Sequence, residues 1–366
     1  MSPAALHGEV VHLFACDIAY DMQRIPMASL LGCPLLPFLP DTRKHSPRGR
    51  TLYRPLTAKL PDTSWDSLSG PISLQCSIKV LPVGELSVTI RTPFAVNSLS
   101  ELTNPLRFNR ADGLSIAAHA AALMEQARSE LASCSIRPHP SLPPGEAYTV
   151  FCLDSSSPAI NVPALEWLNQ NRRDVAALLT SEPDPSVLSD QEVSESTSRP
   201  LSYYHHDLIA GDWDAALIID RPADFDESLY VIELANVQLE ELEAYDTYLD
   251  DALERAYRDL SRHARRSGIL TELHELRIDL ARFSDELSNI TKFFGEWHLA
   301  RVYENSARLF HLADWHRAID EKLRTLDSLY EMLKQDRNHK VMLWLEAGIV
   351  LLFIIDLVMI FSGTHK

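Results

Sequence analysis

The feature that most constrains this chain is a run of 21 residues, VMLWLEAGIVLLFIIDLVMIF, at positions 341–361 of 366. As a helix it would rise about 31 Å, which matches the hydrocarbon core of a bilayer at roughly 30 Å. The run therefore predicts one transmembrane helix near the C-terminus. Fourteen of its residues are Leu, Ile, Val or Phe, worth on the order of −6 kcal/mol for insertion, against about +2 to +3.5 kcal/mol each for Glu346 and Asp356. Insertion is favourable by a narrow margin, so the two acids need water, a proton or a partner. They lie about 15 Å apart along the axis and about 80° around it, too far to bond each other within one helix. Neighbouring copies are the simplest source of partners. Lys334, Arg337 and Lys340 precede the run and only Lys366 follows it, which places the N-terminal mass in the cytoplasm by the positive-inside rule. The expected location is the cell inner membrane, single-pass. The start of the chain lacks the basic segment and apolar run of a secretory signal.

Composition narrows the remainder. A hydrophobic fraction of 46% is normal for globular protein. The net charge of −17 opposes general nucleic-acid binding. Cys16, Cys33, Cys76, Cys134 and Cys152 are scattered and odd in number, which fits free thiols in a reducing compartment and signals no zinc site.

The fold class expected is α+β: an N-terminal α/β domain, then long amphipathic helices arranged as a hairpin or a coiled coil, then one C-terminal transmembrane helix. Over residues 1–225, β-like runs at 10–18, 74–81, 85–92, 147–153 and 214–220 alternate with helices at 114–132 and 163–180. Residues 25–39, interrupted by Pro26, Pro34 and Pro37, read as an irregular buried segment. Loops are expected at 135–145 and at the Ser- and Pro-rich, acidic stretch 181–200. A helical stalk or hairpin follows at 226–340, the membrane helix at 341–361 and a short tail at 362–366.

Two apolar seams run through the helical region. Ile269, Leu273, Leu276, Leu280, Phe283, Leu287, Ile290, Phe294 and Trp297 alternate in steps of four and three, a heptad pattern that requires a partner helix. Leu309, Leu312, Ile319, Leu323, Leu326, Tyr330 and Leu333 form a second seam in shifted phase, so a turn is expected at 310–314. The second seam leads straight into the membrane run as one rod. Pairing between chains would make an oligomer; pairing within one chain would make an antiparallel hairpin.

Chemically suggestive residues concentrate at 295–316. Trp297, Arg301, Glu304, Arg308 and His311 share one helical face if the helix is continuous. This face reads either as an anion site, or a metal site using His298, His311, Asp314 and His316, or as a surface on which Glu304 pairs with Arg301 and Arg308 beside a buried Trp. The run Tyr203-Tyr204-His205-His206-Asp207 could hold a metal, but adjacent residues rarely converge on one ion. The basic segment 43–50 is either a contact for anionic lipid or RNA or a solvated loop. Phosphate-binding glycine loops and the Gly-x-Ser-x-Gly elbow are missing. No catalytic residue, metal or cofactor is expected.

The segments YDTYLDDALERAYRDL at 245–260, ITKFFGEWHLARVYENSARLFHLADWHRAIDEKLRTLDSLYEML at 290–333 and NHKVMLWLEAGIVLLFIIDLVMIF at 338–361 resemble the required-for-meiotic-nuclear-division family, with Trp344-Leu345-Glu346 standing where that family carries a Leu-Glu-Trp-like start. The resemblance implies an N-terminal α/β domain, a helical region and a terminal membrane helix. Eukaryotic members include mitochondrial inner-membrane proteins that oligomerise and support translation by mitochondrial ribosomes, and no catalytic residues accompany it. Without a transit peptide, this chain looks more like a bacterial member.

The function expected is an inner-membrane scaffold that self-associates and presents its cytosolic α/β domain to a protein partner. Helix packing would rest on Leu273, Leu276, Leu280, Phe283, Leu287, Ile319, Leu323 and Leu326. The alternative is a membrane enzyme or ion-handling protein using the 297–316 face or the intramembrane Glu346 and Asp356.

Overall fold

A computed structural model describes residues 5–22, 28–38, 55–81, 84–138, 145–262, 297–361 and 363. The contact pattern divides the chain into two compact units, one of residues 1–244 with 283–315, the other of 245–282 with 316–366.

The first unit is built on a mixed sheet. Its central strand β1 (Leu6–Asp17) lies between β8 (Glu85–Val96) and β10 (Ala147–Asp154), antiparallel to both. β8 is followed outward by β7 (Gly70–Val80), β5 (Leu56–Lys59), β4 (Cys33–Pro37) and β3 (Ser29–Leu30), while β6 (Thr63–Ser67) pairs separately with β7. On the other side β10 pairs in parallel with β12 (Ala215–Asp220), and β11 (Leu208–Gly211) closes that edge. A parallel neighbour needs a long crossover. Helices α2 (Ala164–Gln170), α3 (Arg172–Leu179) and α4 (Asp190–Ser196) fall within it. A small pair, β2 (Ala19–Met22) with β9 (Ser135–Pro138), stands apart.

The central strands are covered on both faces, and their side chains divide by parity, as successive strand residues point to opposite faces. Leu86, Val88 and Ile90 of β8, with Cys76, Ile78 and Val80 of β7, join the core cluster that includes Ile116, Ala120, Met124, Ala127 and Leu131 of helix α1 (Ile116–Leu131). Ser87 and Thr89 of β8 and Lys79 of β7 meet the opposite layer, helix α5 (Phe225–Arg262). The buried residues of α1 recur in steps of three and four, and Ser115 caps its start by accepting from the Ala118 amide at 3.0 Å.

Four segments differ from the sequence reading. The helix expected at 163–180 is broken at Asn171, whose side chain donates to the Trp167 carbonyl at 2.8 Å; a side chain competing for backbone groups is a known cause of helix interruption. The 181–200 loop contains α4, begun by Ser189 accepting from the Glu192 amide at 3.1 Å. Residues 135–138 of the other expected loop form β9. In the proline-interrupted segment, β3 and β4 form a hairpin through Leu31, with φ 49°, and Gly32. All five cysteines are free and buried.

Helix α6 (Trp297–Leu309) ends at the expected turn, where His311 takes φ 51°, and α7 (Leu312–Phe361) begins at once. α6 buries Leu299, Val302, Tyr303 and Ser306. The Tyr303 hydroxyl donates to Gln238 of α5 at 2.5 Å, and Phe310 meets Tyr148 of β10 edge-on at 4.9 Å.

In the second unit, the part of α5 beyond Tyr245 buries Leu249, Ala252 and Ala256, and α7 buries Ile319, Leu323 and Leu326. Lys322 of α7 ties the two helices together, its Nζ 2.7 Å from Asp246 and 2.6 Å from Asp250. This portion of the second seam is thus buried within one chain. Leu273, Leu276, Leu280, Phe283 and Leu287 of the first seam lie outside the described residues. Its last member, Trp297, is 87% exposed rather than buried. Further along α7, Val341–Ile360 is long and apolar enough to cross a membrane, with a mean hydropathy of 2.4 and no part of it buried.

Candidate functional site

Two places in the first unit gather side chains with chemical character. One is an exposed face at the β11 edge. Tyr203 and Tyr204 precede β11, and Asp207 holds them by accepting from their backbone amides at 2.6 and 3.0 Å. Their rings meet edge-on at 4.7 Å, Tyr204 stacks on His206 at 5.4 Å, and Tyr203 lies 5.6 Å from His298 of α6. Trp213, in the turn after β11, lies 5.8 Å from His311. α6 approaches β11 closely because Gly211 has no side chain; a Cβ there would stand 3.1 Å from Leu309 Cδ1 and 3.3 Å from the Tyr148 hydroxyl. Tyr203, Tyr204, Trp213 and Trp297 are all exposed. A concentration of exposed aromatics on a folded surface is the composition of a docking interface.

This face joins two stretches that sequence reasoning treated separately, 203–207 and 297–311. Arg301, Glu304 and Arg308 share the solvent-facing side of α6 with Trp297. His311 does not continue that row, because the helix ends at Leu309 and His311 turns with positive φ. It instead hydrogen bonds to Asp314, Nδ1 to Oδ2 at 3.2 Å. Among the described residues no three His, Cys, Asp or Glu side chains converge as a metal-binding set.

The second place is the seam between α5 and the sheet. Asp226, Glu233 and Glu240 recur every seven residues, so they lie in one row along the helix, drifting by only about 20° per step. Asp226, at the exposed end, accepts from Arg91 of β8 at 2.5 Å, and Arg91 also reaches Glu9 of β1 at 3.4 Å. Glu233 is buried and pairs with Lys79, while its other oxygen accepts from Ser87 at 2.6 Å and Thr89 at 3.4 Å. Lys79 Nζ lies 4.5 Å from the Phe38 ring centroid, and Phe38 packs on Tyr230 at 4.8 Å. Burial pushes the Tyr230 phenol up, with the Glu233 charge acting in the same direction. A cavity of about 180 Å³ opens here, lined by Phe38, Lys59, Asp62, Lys79, Arg91 and Glu233 among others.

Glu240 completes the row with no cation beside it among the described residues. Its two oxygens accept from the backbone amides of Asp17, at 3.4 Å, and Glu146, at 2.8 Å. Burial raises its carboxyl to about 8 despite those two hydrogen bonds. None of these residues was singled out in the sequence, although a lysine between Ile78 and Val80 of a strand and acids at sevenfold spacing were available signals.

Residues 7–226 match the family described as "Uncharacterized protein MJ0711, N-terminal domain". The uncharacterized protein MJ0711 of Methanocaldococcus jannaschii is 24% identical over 217 residues, covering 58% of this chain and 65% of that protein. No solved structure matches. The match lies on the sheet-bearing part, not on the helical segments that resemble the required-for-meiotic-nuclear-division family, and leaves that name unconfirmed. The chain belongs to the family of unknown function represented by the MJ0711 N-terminal domain.

Proposed function

We propose that the protein is a membrane-anchored scaffold that self-associates through its anchor and offers the aromatic face at the β11 edge to a protein partner. One observation supports it above all. α7 is a single 50-residue helix whose first part buries Ile319, Leu323 and Leu326, whereas Val341–Ile360 exposes an apolar surface all round. A helix that is apolar on every side belongs in a bilayer. The described part of the second seam is covered within one chain, and we assign association to the exposed membrane helix. Glu346 and Asp356 there gain most from hydrogen-bonding partners on neighbouring copies.

Lys334, Arg337 and Lys340 favour a cytoplasmic first unit. The resemblance of 245–260, 290–333 and 338–361 to the required-for-meiotic-nuclear-division family, some members of which oligomerise in a membrane, leans the same way. Anchoring is tested by alkaline washing of membranes containing the full chain or a chain ending at Lys340. The full chain should pellet and the shortened one wash off. A full chain that also washes off would remove the anchor from the reading.

A further inference from the structure

The acid row on α5 weakens toward its inner end. Asp226 meets Arg91 and Glu233 meets Lys79, but among the described residues Glu240 meets only backbone amides. Beside it stands Glu85, the first residue of β8, placed by the turn through Gly84 with φ 98°. Glu85 is 1% exposed, and among the described residues neither of its carboxyl oxygens has a hydrogen-bonding partner. An isolated buried carboxylate costs several kcal/mol, and such a group takes up a proton instead.

The surroundings act in the same direction. From α5, Glu240 and Glu241 face Glu85, and from β1 Asp17 does, opposite it in the strand register. Cys16 of β1 and Glu146 ahead of β10 border Glu240. Arg128 of α1 acts on Cys16, but the groups bearing on Glu85 are all acidic. Burial first, and then these neighbouring carboxyls, push the Glu85 carboxyl well up.

We propose that this joint is a proton-operated latch: protonated Glu85 and Glu240 seat α5 against the ends of β1, β8 and the entry to β10, and loss of those protons releases it. The ligand sensed is the proton. In the seated state Glu240 staples the end of β1 to the entry of β10 through the amides of Asp17 and Glu146. Ionisation puts like charges against one another in a site with little water, and withdrawal of the helix lets them hydrate.

The test is amide hydrogen exchange on the full chain in detergent from pH 5 to 9. Exchange at Asp17 and Glu146 is read relative to Val10 and Val150 in mid-sheet, so the intrinsic pH dependence of exchange cancels. The ratio should rise with pH, by up to about tenfold per pH unit for each group that titrates. Glu85→Gln, which keeps the shape of the protonated acid, should reduce the slope, and Glu85→Met should do the same without a polar group. A flat wild-type ratio would overturn the latch, as would both variants retaining the full slope. Restoration of protection at pH 8.5 by millimolar calcium or magnesium would also overturn it, identifying a cation rather than protons as the occupant.

Discussion

Lys79 of β7 and Glu233 of α5 form an ion pair with side chains only 10% and 5% exposed. It fastens helix to sheet. Glu233 is held further by Ser87 and Thr89, so the carboxylate is satisfied on both oxygens. Buried pairs of this kind contribute little over an apolar pair of equal volume, but breaking one leaves a charge stranded.

Lys79→Met should therefore destabilise the protein by about 3–5 kcal/mol, and Lys79→Met combined with Glu233→Leu should recover much of that loss. Equilibrium urea unfolding of the two variants measures both. A double variant no more stable than the single one would mean that the pair does more than neutralise itself.

His12 gives the sheet an acid limit. Its ring packs against Phe14 and Phe108, Nδ1 meets the Thr149 hydroxyl at 3.3 Å, and Nε2 is sealed without a partner among the described residues. Burial lowers its pKa from 6.5 to about 4. The folded state then binds fewer protons than the unfolded state between those values. Its contribution is present above pH 6.5 and lost as pH falls toward 4, on the order of 3 kcal/mol in all. Raised carboxyls have the opposite slope: Glu240 loses stability as pH rises from about 4.5 to about 8. The two overlap, so the imidazole is isolated as the difference between wild type and His12→Gln. Identical profiles below pH 6.5 would exclude His12.

At the β11 edge, Trp213→Ala and Trp297→Ala should change stability by no more than about 0.5 kcal/mol, as expected for exposed positions. A photo-crosslinking residue at position 203 should yield a discrete adduct in cells, and that adduct should disappear in the double tryptophan variant. Loss of folding in either single variant would mean that the face is structural.

Much of the fold was legible because local pattern and tertiary role agree. Ile116 to Leu131 carries helical spacing and a Ser cap, and 85–92 and 147–153 carry strand composition, so each appears where expected. α4 was missed because seven residues are too few to show a period, although Ser189 and Glu192 have the spacing of a capping box. The contact of Tyr203 with His298 was not legible, since it joins positions 95 residues apart through the packing of α6 on β11. The acid row was visible as spacing but not as a site, because acids on a helix ordinarily face solvent. Only the sheet beneath α5 shows that Glu233 and Glu240 point inward.

The most direct measurement is the mass, by light scattering in detergent, of the full chain beside a chain ending at Lys340. The full chain should be a defined oligomer, the truncated chain a monomer, and association should weaken in Glu346→Leu with Asp356→Leu. A strictly monomeric full chain, or an oligomer that survives truncation unchanged, would contradict association through the membrane helix.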